Sequence, residues 1–269
     1  MTTPSNDLRA RFNPDGSLLR RQQLRMLEML EAFDDICRRH HIRYWLSSGT
    51  ALGCARHQGF IPWDDDLDVE MLREDYVRLL DILPRELPGH LALQCHETDA
   101  NYFFSYGKLR DRRSHLEETT GYDRVFKEQG IFIDLFVLEP CPLWLHKLSC
   151  TTIGHAYKLL RTCREGEEHR VMRSVRRWYA LNHRILYPVF RLLAKWGRKD
   201  LIRHTWGVPY HGARCLADIF PLSSATFEGR QFPVPHNLDA YLSRMYGNYR
   251  QLPPLDDIHP HVGKLKILE

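Results

Sequence analysis

Four aspartates fall within five positions of the run Trp63-Asp64-Asp65-Asp66-Leu67-Asp68-Val69, and apolar residues close in on both sides. Phe60, Ile61, Trp63, Leu67, Val69 and Met71 pull this stretch inward, while its carboxylates resist burial. In an extended chain alternate side chains share a face, so Asp64, Asp66 and Asp68 project together and Asp65 and Leu67 point away. Carboxylates so placed repel one another unless a cation sits among them. Mg²⁺ suits such a site, because it takes one or two carboxylates and fills its shell with water and phosphate oxygens. A short Asp run is otherwise an acidic surface loop, a reading the apolar bracket opposes. An EF-hand loop is excluded, since no Glu stands at the twelfth position.

A second acid points the same way. Asp134 interrupts Ile131-Phe132-Ile133-Asp134-Leu135-Phe136, which otherwise reads as a buried strand. A charge there is costly unless it is paired, caps a backbone turn or binds metal. If this strand lies beside the Asp66–Asp68 segment, the set Asp64, Asp66, Asp68 and Asp134 forms a metal site of the kind used in two-metal phosphoryl chemistry. Upstream, Ser48-Gly49-Thr50 closes a strand and opens a helix. Gly49 allows close backbone approach, and the helix amides with the Thr50 hydroxyl form an anion pocket. Arg56, His57, Lys108 and Arg110 are the cations available to phosphate. Lys108 and Arg110 share a face of a strand expected over 102–110. Each taken alone is equally well explained as a solvated charge.

The rest of the chain supplies a frame. Residues 1–17 show no periodicity and read as a loose arm. Leu24, Leu27, Leu30, Phe33 and Cys37 mark an amphipathic helix over 18–41. Short strands are expected at 42–46, 67–71 and 91–95, and a strongly apolar one at 130–138. Helices are expected at 51–57 and 73–83, with a helix-rich segment from 143 to about 206. Extended chain at 232–235 precedes a helix over 238–246, N-capped by Asn237 and stopped by Gly247. The expected division is arm 1–17, catalytic core 18–140, helical insertion 141–206 and a C-terminal part 207–269 completing the core. The fold class is α/β (α+β), a mixed sheet with flanking helices and a basic helical insertion.

Charge is unevenly spread. Residues 141–205 hold 14 Lys/Arg against 4 Asp/Glu, whereas the remainder holds 24 against 30. Such a block faces an anionic surface or phosphorylated substrate, or is merely a solvated helical face. No zinc-finger, RNA-recognition or KH signature accompanies it, so nucleic acid is not expected as a partner. No stretch approaches the roughly 20 apolar residues that a membrane-spanning helix needs. The polar first 25 residues offer no secretory h-region. The 7 scattered cysteines form no C-x-x-C pair, which suggests reduced thiols rather than a disulfide framework or thiolate zinc site. A cytoplasmic protein is the expectation.

The motifs carry a resemblance. Gly49-Thr50-Ala51-Leu52-Gly53 and Arg56-His57-Gln58-Gly59-Phe60-Ile61-Pro62-Trp63-Asp64-Asp65-Asp66-Leu67-Asp68 look very like the signature of the LicD/fukutin-related family, within the nucleotidyltransferase-fold superfamily. Gly130–Leu138 resembles the family's G-[IV]-F-I-D-[IL]-F segment. Phe220-Pro221-Leu222, Phe227-Glu228-Gly229, Pro233-Val234-Pro235 and Tyr246-Gly247-Asn248-Tyr249 continue the likeness. It spans residues 24–140 and 218–261. The resemblance implies a nucleotidyltransferase-like mixed sheet and metal-dependent transfer of phosphocholine, or a related phospho-alcohol, from a CDP-linked donor. The implied acceptor is a cell-surface glycan, such as lipopolysaccharide or teichoic acid, or its lipid-linked precursor. By matching positions it gives Asp66 and Asp68 the D-x-D metal role, sets Asp64 beside them and makes Asp134 the third-strand acid, with Mg²⁺ or Mn²⁺ as cofactor. Asp66, Asp68 and Asp134 are then the expected catalytic residues. Gly49, Thr50, Arg56, His57, Lys108 and Arg110 are expected at the phosphates.

Two other activities fit the same residues: a cytidylyltransferase making a CDP-alcohol, or a non-catalytic basic protein binding anionic membrane or RNA. Peripheral contact with the cytoplasmic membrane face would bring a soluble enzyme to a lipid-linked acceptor. Trp63, Tyr102, Phe103, Phe104 and Tyr106 offer an aromatic wall for a choline ammonium, or are core residues. His259 and His261 close the family-like tail and either approach substrate or face solvent.

Overall fold

The strand bearing Asp134 is the middle of the molecule. The computed structural model describes residues 5–118, 120–164, 166–255, 258 and 264–268; His259 and His261 lie outside them. Its strands are β1 (Trp45–Leu46), β2 (Asp68–Leu72), β3 (Leu91–Gln94), β4 (Gly107–Asp111), β5 (Ser114–Glu117), β6 (Phe132–Pro140), β7 (Leu201–His204), β8 (Arg214–Cys215), β9 (Ser223–Phe227), β10 (Arg230–Val234) and β11 (Lys264–Ile267). Between them lie α1 (Ser5–Phe12), α2 (Leu18–Arg39), α3 (Ser48–His57), α4 (Arg73–Glu86), α5 (Leu143–Arg161), α6 (Glu168–Leu181), a π-helical turn over Asn182–Leu186, α7 (Tyr187–Ala194), α8 (Leu216–Ile219) and α9 (Leu238–Tyr246).

Seven strands make one mixed sheet in the order β1-β2-β6-β4-β3, extended by β7 on β6 and β8 on β7. Only β2 and β6 run parallel, and their register sets Asp68 directly opposite Asp134. The nine-residue β6 has length enough to serve three partners: its first half pairs β4 and its end pairs β7. Hairpin β9–β10 and the pair β5–β11 form two smaller sheets. The mixed sheet with flanking helices is the α+β architecture expected.

Helix α2 shows how the core sets the site. Ser17 caps it, accepting a hydrogen bond from the Arg20 amide at 3.1 Å. Met26, Met29, Leu30, Phe33 and Cys37 are buried against the sheet, each large apolar side chain contributing about 1.5–3 kcal/mol relative to exposure. One turn earlier, Gln22 and Gln23 occupy the same buried face. Gln22 Nε2 donates to the Asp65 carbonyl at 2.7 Å, and Gln23 Nε2 donates to the carbonyls of Asp64 at 2.9 Å and Ile61 at 3.2 Å. The aspartate run is thus held by its backbone, and Asp64, Asp66 and Asp68 line a cleft. At the opposite end of the chain, Asn237 caps α9 and Gly247 at φ 64° ends it, as expected.

Three expectations need correction. The arm is not loose: Ser5–Phe12 is helical, Leu8 is buried, Phe12 meets Trp63 edge-on at 5.2 Å and Asn13 donates to Gln23 at 2.7 Å. Eight residues are too few to register a period, and a helix this short needs tertiary packing to persist. The strand expected over 102–110 begins only at Gly107. Tyr102 and Phe103 are both buried in a second core with Phe126, Ile153 and Tyr179, which strand alternation would not permit. The helical segment ends at Ala194, and Leu201–His204 returns to the main sheet beside β6. A four-residue strand is too short to stand out after so long a helical stretch. All 7 cysteines are free thiols. No helix among the described residues is long and apolar enough to cross a membrane.

In the second core region His183 stacks on Tyr179 at 3.8 Å and meets Ser105 Oγ at 3.1 Å. Burial, then the Arg191 and His96 charges, push its pKa from 6.5 down to about 3. Between those values the unfolded chain holds a proton the native protein lacks, so native stability is lost as pH falls through that window. Replacing His183 by Phe removes this contribution. From about pH 7 to pH 5 the variant is expected to lose about 2 kcal/mol less than wild type. Urea unfolding at both pH values measures it, and identical losses would refute the assignment.

Candidate active site

The site grows from the β1–α3 turn and the start of β2. Ser48 opens α3 in the left-handed region at φ 47°, a conformation non-glycine residues hold only when their surroundings impose it. The next residue must be small. A Cβ on Gly49 would lie 2.7 Å from Asp64 Oδ2, so glycine lets the carboxylate approach the helix end. Gly53 is likewise required, since a Cβ there would lie 2.5 Å from the Gly59 carbonyl oxygen. The helix and the Gly59–Asp64 loop therefore pack backbone to backbone. Glu228 fastens the same loop, accepting from the Phe60 amide at 3.1 Å and from Arg20 Nη2 at 2.6 Å.

Ser48, Gly49, Asp64, Asp66, Asp68 and Asp134 line one cleft of about 570 Å³. The far wall is Phe136, His204, Tyr210, Arg214 and Tyr246 among others. The four acids are brought together as expected, Asp64 and Asp66 from the loop entering β2, Asp68 from the first position of β2 and Asp134 from β6. Burial and neighbouring carboxylates push Asp64 and Asp68 well above the usual range, and Asp66 upward as well. Asp134 rises to about 6 through burial, opposed chiefly by Lys108. Lys108 is itself buried, its Nζ 3.1 Å from Asp134 Oδ1 and 3.2 Å from the centre of the Phe132 ring.

The other cations on the cleft are committed elsewhere. Arg214 Nη2 is 2.6 Å from Glu70 Oε1, and Arg244 Nη2 is 2.9 Å from Asp218 Oδ2. The carboxylate group thus faces the cleft with one ammonium against it, a donor set that fits a hard divalent cation.

Of the residues expected at the phosphates, Gly49 alone is on the cleft wall. The others are corrected by their contacts. Thr50 is buried, and its hydroxyl accepts from the Asp68 amide at 2.8 Å, which fixes the start of β2. Arg56 donates to the Gln251 carbonyl at 2.6 Å, tying α3 to the C-terminal part. His57 is edge-on to Trp63 at 6.4 Å, and burial followed by the Arg56 charge lowers its pKa to about 4. Lys108 reaches the cleft through Asp134. Arg110 is fully buried, donating to Gln94 at 2.8 Å, the Gly130 carbonyl at 2.9 Å and Glu118 at 2.5 Å. Their shared strand face did not reveal that both cations are buried against acids rather than open to a phosphate.

The aromatic wall is also elsewhere. Tyr102 and Phe103 are core residues, Trp63 packs on Phe12, and the cleft presents Phe136, Tyr210 and Tyr246 instead. Tyr210 and Tyr246 come from segments 78 or more residues after β6 begins and carry no local motif beyond the Tyr246-Gly247 pair. Beside the cleft, His146, Cys150 and His211 gather within 4.8 Å. The two imidazoles hydrogen-bond through Nδ1 at 3.0 Å and the thiol donates to the Val208 carbonyl at 3.4 Å.

Residues 41–136 match the LicD/FKTN/FKRP nucleotidyltransferase domain. Lipopolysaccharide cholinephosphotransferase LicD of Haemophilus influenzae is 29% identical over 262 residues, covering 90% of this chain and 95% of that protein. An uncharacterized protein of Rickettsia prowazekii is 40% identical over 65 residues, 24% of each chain. Ribitol 5-phosphate transferase FKRP of Homo sapiens is 53% identical over 34 residues, 13% of this chain and 7% of that protein. The family match and the relatives named as transferases support a transferase of substituted phosphate groups. Within that class, residues 41–136 are similar to the LicD/FKTN/FKRP nucleotidyltransferase domain, and nine-tenths of the chain is similar to a lipopolysaccharide cholinephosphotransferase.

Proposed function

We propose that the protein transfers phosphocholine, or a related phospho-alcohol, from a CDP-linked donor to a hydroxyl of a cell-surface glycan or its lipid-linked precursor. The observation that carries this reading is the juxtaposition of Asp64, Asp66, Asp68 and Asp134 in a cleft also walled by tyrosines. The likeness to a lipopolysaccharide cholinephosphotransferase over nine-tenths of the chain supports it. Asp64, Asp66, Asp68 and Asp134 are the residues that would hold Mg²⁺ or Mn²⁺, which when bound supplies neutralising charge at a diphosphate.

In this reading the acceptor oxygen forms a bond to the donor's distal phosphorus, the bond from that phosphorus to the bridging oxygen breaks and CMP leaves. Asp134 accepts the acceptor proton. Lys108 holds its carboxylate in place. Tyr210 and Tyr246, both exposed on the cleft, are the aromatic residues that would meet a quaternary ammonium, a contact worth about 0.5–2 kcal/mol each. Free thiols throughout the chain support a reducing compartment, and in this reading the reaction runs in the cytoplasm.

Two incubations test the reaction. With CDP-choline and a glycan acceptor, CMP and a phosphocholine-bearing glycan are expected; with CTP and phosphocholine, no diphosphate is released. The opposite pattern would make the protein a cytidylyltransferase. A thermal melt tests the cation independently, because a ligand that binds only the native state raises apparent stability. Millimolar Mg²⁺ is expected to raise the melting temperature of wild type and to leave that of Asp66→Asn little changed. An equal shift in both would remove these acids from the site.

A further inference from the structure

Residues 169–199 contain 9 Lys/Arg and no Asp or Glu. They run through α6, the π-helical turn and α7. The inner face of this stretch packs Met172, Val175, Tyr179, Tyr187, Phe190 and Ala194 into the body. An ordinary solvated helix would be polar on its other side. Here Leu181, Ile185, Val189, Leu192 and Trp196 follow at intervals of four, four, three and four residues, the spacing of one helical face, and all are exposed. Trp196 is 81% exposed and Trp144, in the first turn of α5, is 65% exposed. A Cβ on Gly197 would lie 3.1 Å from the Pro142 side chain, which brings the start of α5 alongside the end of this stripe. Nine of the 15 exposed large hydrophobics among the described residues fall between 143 and 196. Patches of this kind mark interaction surfaces.

We propose that this face docks on an anionic lipid bilayer, lying in the plane of the headgroups with the apolar stripe inserted and the cations flanking it. Arg177, Arg184, Lys195 and Lys199 are exposed beside the stripe. Apolar side chains bordered by basic residues on one helical surface match the interface between acyl chains and acidic headgroups. Charge chooses among the occupants. A second copy seated on the same face would bring its own Arg177, Arg184, Lys195 and Lys199 against these four. Nucleic acid would satisfy the cations and leave five aliphatic and indole side chains in water. The inference does not rest on the transfer reaction, and the stripe lies outside the acid cleft.

The full chain is to be sedimented with vesicles of phosphatidylglycerol mixed with phosphatidylcholine, and with vesicles of phosphatidylcholine alone. At low salt about tenfold more protein is expected to pellet with the anionic vesicles, and high salt is expected to release most of it. Ile185→Ser combined with Leu192→Ser, and separately Arg177→Gln with Arg184→Gln and Lys195→Gln, should each cut binding by about tenfold. Both sets change exposed residues, and an unchanged circular dichroism melt confirms their folds. Trp emission should move to shorter wavelength when anionic vesicles are added, and this shift should shrink in Trp196→Phe. Equal recovery in the supernatant with both vesicle types at low salt would overturn the proposal. So would a dimer that the Ile185→Ser, Leu192→Ser variant converts to monomer while wild type ignores vesicles, since a second copy would then cover the face.

Discussion

Asp66→Asn and Asp68→Asn should each abolish most transfer activity without loosening the fold. Both carboxylates stand in the acid cleft, and Asp68 is registered directly opposite Asp134 across parallel strands. Replacing either by the isosteric amide removes a charge where a cation would be held and changes little of the volume. A loss of about a thousandfold, roughly 4 kcal/mol of barrier, is expected. Stability should move the other way. Burial and repulsion from neighbouring acids already push Asp68 well above the usual carboxylate range, so removing one charge relieves the others in metal-free buffer. The measurements are a steady-state assay of CMP release and a melt in chelator. A variant that keeps more than about a tenth of the wild-type rate, under 1.4 kcal/mol, would take the metal role away from that residue.

Arg214→Met should produce the largest loss of stability. Glu70 lies one residue pair along β2 from Asp68 and is fully buried. Its carboxylate is 2.6 Å from Arg214 Nη2, accepts from Tyr241 Oη at 2.8 Å and from Trp45 Nε1 at 3.1 Å, and has His204 Nε2 3.5 Å away. Burial works to raise this carboxyl, yet Arg214 foremost and His204 with it hold it below the ordinary value. Removing the guanidinium leaves the carboxylate charged and unmatched in the core. The expected cost is about 3–5 kcal/mol, with a melting temperature lower by roughly 10 °C. Denaturant unfolding reads the first quantity and calorimetry the second. A loss below about 1 kcal/mol would mean that the pair stabilises the native state little. Because Arg214 also lines the cleft, the same variant separates the two roles: activity that falls at temperatures where the protein is fully folded reports on the cleft.

Much of this arrangement was legible in the chain because its causes are local. An aspartate run between apolar residues has few ways to fold, and alternation alone sends Asp64, Asp66 and Asp68 to one side. Asp134 was conspicuous for a similar reason, as the charge within Ile131–Phe136. Asn237 and Gly247 mark helix ends by their own conformational preferences, and the structure uses both as expected. What local rules could not say is which partner a side chain meets. Lys108 and Arg110 share a strand face, but one meets Asp134 at the cleft while the other is spent on Gln94, Gly130 and Glu118.

The sequence by itself determined the acids, the sheet-and-helix alternation and the concentration of positive charge at 141–205, because period, burial preference and charge are properties of neighbouring residues. Only the tertiary structure decided that β2 and β6 lie side by side in parallel with Asp68 against Asp134. It also chose Tyr210, Arg214 and Tyr246 for the far wall of the cleft, and Gln22 and Gln23 to hold the acid loop by its carbonyls. It gave the part of the basic block running from α6 through α7 two apolar faces, one packed and one open. These are contacts between residues far apart in the chain, set by how whole elements pack to bury the most apolar surface and leave the fewest charges unmatched, and no short stretch of sequence carries that information.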